Sequence, residues 1–242
     1  MAHFNRRLAR RAVLSCILFM AITGLASAAE ITSAQTAAPA RHLGITPKVG
    51  LSWLTYKEGS ATDFAAIGLK TGIAGWHRIG TGTLIQLNGS VTALPVNDTG
   101  LAVPVRFAAM DGTWITDLGA TDNSPSHWRT QLGLGAYYKR MFVSGNKFGY
   151  TDVNGPLALV NFEKHFSAGS SGRMEFRISP VLDGLIPLAP SSRELGFTVE
   201  WKKPLVDGRS LGVMAEWSEL RIRIENSQVE SNSLALGVIY GI

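Results

Sequence analysis

Cysteine is almost absent: Cys16 is the only one in 242 residues, and it lies inside an N-terminal apolar segment. A mature chain that loses this segment has no disulfide, no thiolate metal ligand and no cysteine nucleophile. Long apolar runs are missing as well. The run from Ala12 to Leu25 is about 14 residues, short of the ~18 to 20 that a membrane-crossing helix needs. Charge is sparse, at 17% of residues, and there are only 5 histidines. His42, His77 and His127 have no second ligand at metal spacing, so neither a metal nor a cofactor is expected.

What the N-terminus does have is order. Arg6, Arg7, Arg10 and Arg11 precede the apolar run, and Ala26-Ser27-Ala28 follow it. This is the pattern of a secretory signal peptide over residues 1–28, with cleavage after Ala28. Those residues contain no Asp, Glu or Lys. Of the formal +5 (23 basic against 18 acidic residues), the mature chain therefore keeps +1, with 19 basic residues against 18. The positive balance belongs to the discarded peptide. With no basic cluster and no stacking-aromatic motif, nucleic acid is excluded as a partner. Residues 29–46, AEITSAQTAAPARHLGIT, are small, polar and unpatterned, and are read as a flexible leader. Residues 47–242 are enough for one domain.

From there the pattern has period two. In RMEFRIS, Met174, Phe176 and Ile178 oppose Arg173, Glu175, Arg177 and Ser179; in ELGFTVEWK, Leu195, Phe197, Val199 and Trp201 oppose Glu194, Gly196, Thr198, Glu200 and Lys202. Successive strand side chains point to opposite faces, so each segment presents one apolar and one polar surface. Candidate strands span 48–57, 64–76, 82–94, 101–109, 128–143, 156–166, 173–183, 194–204, 210–224 and 231–242. A soluble sandwich alternates too, but these segments run to about 10 or 12 residues against a soluble mode of ~5 to 6. Aromatics such as Trp201 and Tyr240 recur near strand ends, and short spacers alternate with long ones. The expected fold is all-β: a single antiparallel up-and-down transmembrane β-barrel of about 10 strands. Residues 110–127 form either one long connection or a further strand pair including Trp114 to Leu118, which gives 12.

The final stretch, SNSLALGVIYGI, alternates to its last residue. Leu234, Leu236, Val238, Tyr240 and Ile242 share one face, with Ala235, Gly237 and Gly241 on the other. It resembles the terminal strand of Gram-negative outer-membrane β-barrel proteins, whose assembly signal has a glycine, two spacers, an apolar or aromatic residue, one spacer and a terminal apolar or aromatic residue. Gly237, Tyr240 and Ile242 fill those positions; Ala235 and the final Ile depart from the commonest choices. The resemblance implies an outer-membrane location, insertion by the barrel-assembly machinery, contact with outer-membrane lipid and lipopolysaccharide, and both termini on the periplasmic side.

With the apolar face turned to lipid, Lys70, Arg106, Lys139, Glu163 and Arg173 point into the lumen. Glu175, Arg177, Glu200, Lys202 and Glu216 join them. Mixed signs fit either an ion-paired filling or a narrow, porin-like passive channel for small solutes or ions. In strand nine the apolar parity slips from Leu211, Val213, Ala215 and Trp217 to Leu220, Ile222 and Ile224. A β-bulge near Ser218-Glu219 accounts for it and turns Arg221 and Arg223 inward at the outer rim, where they could capture phosphate or carboxylate. Loops 144–155 and 185–193 are expected contact surfaces of a structural or surface-binding barrel. The stretch HFSAG, with His165 and Ser167, resembles the His-x-Ser of outer-membrane lipid A deacylases, although Ala168-Gly169 replace that family's Asn-Ala. It implies a lipid-modifying hydrolase as the alternative to a non-enzymatic barrel.

Overall fold

The computed structural model describes residues 42–242 apart from 60–61, 81, 99–100, 119–127, 144–149, 151, 167–168, 185–187, 189–190 and 225–226. Ten strands follow one another: β1 Leu43–Glu58, β2 Thr62–Arg78, β3 Thr83–Asp98, β4 Leu101–Asp117, β5 Trp128–Val143, β6 Asp152–His165, β7 Ser171–Ser179, β8 Arg193–Pro204, β9 Ser210–Ile224 and β10 Ser227–Gly241. Each pairs antiparallel with its sequence neighbour, and β1 pairs with β10 to close the barrel. The strand count is ten rather than twelve because Trp114 belongs to β4, which runs on to Asp117 and pairs with both β3 and β5. The long connection therefore starts at Leu118. β1 begins at Leu43 and takes in the last residues of the segment read as a leader.

Up-and-down order places the first residues of β1 and the last of β10 at one end of the barrel, here the terminal end, together with the β2–β3, β4–β5, β6–β7 and β8–β9 connections. The opposite, loop end holds the other five connections. At the β8–β9 turn the consecutive residues Asp207 and Gly208 take φ of 79° and 73°, a left-handed pair of the kind tight hairpins require. The closing seam is regular: Val49 faces Val238, Leu51 faces Leu236, and Gly50 faces Gly237. A Cβ on either glycine would strike the backbone of the other strand, so the seam depends on this pair. Ile242 is itself held, its N–H donating to the Ile45 carbonyl at 2.9 Å.

Strand length matters next. β1 has 16 residues and β2 has 17. At about 3.4 Å per residue and a tilt near 40°, such strands rise roughly 40 Å along the barrel axis, well above the ~25 Å apolar band of a membrane barrel. The side chains record the excess. Over the middle of the barrel the outward residues are apolar and open, Leu51 at 63% and Leu134 at 71% exposure among them. Toward the loop end the faces exchange roles. Tyr56, Phe64, Val105, Phe107, Leu220 and Ile222 point inward and are buried, while Lys57, Asp63, Arg106, Arg140, Arg221 and Arg223 are exposed outside. A sheet whose outer face meets hydrocarbon over part of its height and water over the rest has to invert in this way.

The inversion overturns two expectations. Pairing through β9 is continuous, with Phe197 opposite Trp217, Leu195 opposite Glu219 and Arg193 opposite Arg221, so there is no bulge at Ser218-Glu219. Leu220 and Ile222 keep the inward parity of Glu216, and Arg221 and Arg223 point out. Arg106 fails as a lumen residue for the same reason: Val105 and Phe107 take the interior, and Arg106 lies on the outer face near the loop end.

Candidate functional site

The lumen is built in three levels. At the loop end it is an apolar plug. Tyr56 and Phe64 stack with ring centroids 5.2 Å apart, and Phe107 meets Tyr150 at 6.4 Å. Leu220, Ile222, Val105 and Val153 are fully enclosed at 0% exposure. Two plug residues come from connections rather than strands. Tyr150 precedes β6, and Leu182 lies in the β7–β8 connection, which is fastened by paired backbone hydrogen bonds between Asn154 and Asp183 at 2.8 and 2.7 Å. Burial, with Glu194 and Tyr56 nearby, pushes the Tyr150 phenol well above its ordinary range, so it stays neutral in the plug.

Beneath the plug lies a network of ion pairs. The Glu216 carboxylate accepts from Lys70 at 2.7 Å and from Arg177 at 3.1 Å. Arg177 also reaches Asp111 at 3.8 Å, and Asn88 donates to the same carboxylate at 2.7 Å. Glu194 accepts from the Tyr137 hydroxyl and pairs with Lys139 at 3.2 Å. Arg173 joins Glu175 at 2.5 Å and Gln86 at 3.0 Å. Asn161, in the amide orientation that satisfies both neighbours, accepts from Arg173 at 3.0 Å and donates to Glu175 at 3.2 Å. Such mutual satisfaction lets charges lie inside a barrel, since an unpaired ion there is expensive. A cavity of about 80 Å³ remains within this network and reaches Leu54 and Phe107 of the plug, room for a few waters.

The third level is the mouth at the terminal end. Glu200 is shared by Lys48 at 2.7 Å and Lys202 at 3.1 Å. Trp76 and Arg78 line the same space from β2. Asp117 holds Arg129 and accepts from Gln131 at 2.5 Å.

Of the residues expected in the lumen, Lys70, Lys139, Arg173, Glu175, Arg177 and Glu216 meet in the network, Arg173 reaching the mouth as well, with Glu163, Glu200 and Lys202 at the mouth. Arg106 is elsewhere. Lys48, Asp111 and Glu194 join them from outside the expected set, each on the parity of charged neighbours. Asp111 lies beyond the expected end of its strand, Lys48 is the first residue of its own, and Glu194 stands on the polar face of ELGFTVEWK. Gly237 lies on the inward face of the seam, Tyr240 is half-buried on the outward face, and Ile242 is exposed. His165 stands exposed at the terminal end of β6, 3.5 Å from Glu163; Ser167 lies outside the described residues. No group of three metal-ligating side chains occurs among the described residues.

No protein-family model and no curated protein matches the chain. Solved structures do. The outer membrane protease OmpT from Escherichia coli aligns at 10% identity over 82% of this chain and 97% of its own, with a TM-score of 0.50. The fold is that of a Gram-negative outer-membrane β-barrel. OprG from Pseudomonas aeruginosa (10% identity, 82% of this chain, 95% of its own, TM-score 0.40) and Neisserial surface protein A (12%, 81%, 95%, 0.39) are of the same general kind. At such identities the likeness concerns the outer-membrane barrel fold alone.

Proposed function

We propose that this chain is an integral outer-membrane barrel, exported with its signal peptide, closed to solutes, and acting through its loop end as a structural or surface-binding protein. The observation that carries this reading is the inversion of polarity. An apolar belt surrounds the middle of the barrel, and above it a water-facing collar encloses an apolar plug. The belt supports insertion, and the plug supports closure. A passive channel needs a continuous wet path, whereas Tyr56, Phe64, Phe107, Leu220 and Ile222 fill the axis at the loop end.

The collar also suits a lipopolysaccharide-rich leaflet. Arg193 faces Arg221 directly across β8 and β9, and although Glu219 pairs with Arg221, Arg193, Arg221 and Arg223 give this part of the collar exposed guanidinium groups to which lipid phosphates could bind. No catalytic role is assigned: in this orientation His165 faces the periplasm, away from the outer leaflet on which a lipid A hydrolase would act.

The test is electrical. Purified protein, with insertion verified by a gel mobility that changes on boiling, is expected to leave planar bilayers silent. Reproducible unitary steps at moderate voltage would restore the porin-like reading and remove this one.

A further inference from the structure

The mouth at the terminal end gathers four cations against two carboxylates of its lining, and one of the four, Arg78, has no carboxylate partner among the described residues. A cavity of about 170 Å³ opens there, lined by Lys48, Arg78, Arg173 and Lys202 against the carboxylates of Glu163 and Glu200. Lys48 and Lys202 converge on the one Glu200 carboxylate. Arg78 is the exception. It closes β2, its side chain lines the cavity, its Nε is buried without a hydrogen-bond partner, and none of the described carboxylates pairs with it. The Nε of Arg173 is likewise buried and unmet, although its Nη2 is held by Glu175 and Gln86, and Glu200 Oε2 in the same mouth is an acceptor without a hydrogen-bond donor, so the unmatched cation is Arg78. Among the described residues the other cations of the lumen, Lys48, Lys202 and Arg173 of this mouth included, have carboxylate partners, so Arg78 stands apart. Guanidinium donors enclosed without an acceptor are costly, and their planar fork matches a carboxylate or phosphate.

Beside these cations stands an aromatic ring. Trp76 lies two residues before Arg78 on the same inward face, directly opposite Gly44. A Cβ on that glycine would come within 2.5 Å of the indole. Only glycine therefore lets the ring lie against β1 and line the mouth. Gln86, Gln131 and Thr46 add neutral hydrogen-bonding groups.

We propose that the terminal-end mouth is a binding site for a small organic anion that presents a carboxylate or phosphate to Arg78, Lys202 and Lys48 and a flat ring to Trp76. Only its facing the periplasm rests on the function proposed above; the chemistry of the site does not.

Calorimetric titration of the detergent-solubilised mature chain with phenyl phosphate and with inorganic phosphate tests it. Phenyl phosphate is expected to bind saturably, one per chain, and more tightly than inorganic phosphate. Arg78→Gln should weaken phenyl phosphate by about ten-fold, the usual scale for one charged hydrogen bond. Trp76→Leu should abolish the advantage of phenyl phosphate while sparing inorganic phosphate. Boiling-dependent gel mobility reports whether each variant folds; if Arg78→Gln does not, Lys202→Gln takes its place with the same expectation. Absence of saturable phenyl phosphate binding, or an affinity unchanged by these charge removals, overturns the proposal. Either result is independent of whether the barrel conducts.

Discussion

Glu216 shows how a single residue can decide the state of the lumen. Its carboxylate holds both Lys70 and Arg177, and all three side chains are largely enclosed, at 12%, 12% and 18% exposure. Glu216→Gln keeps the shape and removes the charge, leaving two cations facing each other where Asp111 is the nearest compensation, 3.8 Å from Arg177. Breaking an enclosed pair from one side typically costs about 3 to 5 kcal/mol, and that is the loss expected in urea unfolding of the barrel in micelles. Removing a cation as well, in Lys70→Met with Glu216→Gln, should recover much of it, because desolvated charges are worth little once both are gone. A double variant as unstable as the sum of the two single ones would show that Lys70 and Glu216 are not coupled.

At the scale of a strand, β4 and β9 carry the lesson about what was legible. Alternation, strand order, the closing seam and most of the charged lumen can be read from the chain, since period two needs only local sequence. The parity that counts as inward is not local; it depends on what lies outside the sheet at each height. In β9 the change from Trp217 to Leu220 as the apolar parity is this exchange of solvents, and without the barrel in view it is indistinguishable from a one-residue insertion. In β4 the same exchange, from Val105 and Phe107 inside to Met110 and Trp114 outside, hid both the outward Arg106 and the continuation to Asp117. The plug is illegible in the sequence for a further reason: Tyr150 and Leu182 reach it from connections that carry no periodicity. The two readings of β9 differ in a measurable way. Ile222 is fully buried and Arg221 exposed, so Ile222→Ala should cost about 2 to 5 kcal/mol, while Arg221→Ser, which loses only a surface pair with Glu219, should cost about 0 to 1. The bulged strand would reverse that order.

At the scale of the whole molecule, the levels of the lumen and the collar outside it depend on a single vertical placement, and the scarcity of cysteine offers a clean way to measure it. Cys16 is the only one in the chain and would leave with the signal peptide, so a single introduced thiol reports one position without background. Gln228 is exposed on the outer face of β10 near the loop end, Arg209 is exposed in the β8–β9 turn at the terminal end, and Leu236 lies in the apolar belt. If the barrel stands with its collar outside the cell, a membrane-impermeant maleimide added to intact cells should label Gln228→Cys. Arg209→Cys should react only after the outer membrane is permeabilised. Leu236→Cys, shielded by hydrocarbon that a charged reagent does not enter and where thiolate is scarce, should stay unreacted in both cases until the barrel is unfolded. Labelling of Arg209→Cys on intact cells would invert the orientation, exposing the basic mouth rather than the plug to the outside. Rapid labelling of Leu236→Cys in sealed membranes would remove the lipid belt itself, and with it the reason for the polarity exchange between Leu51 and Tyr56 on β1.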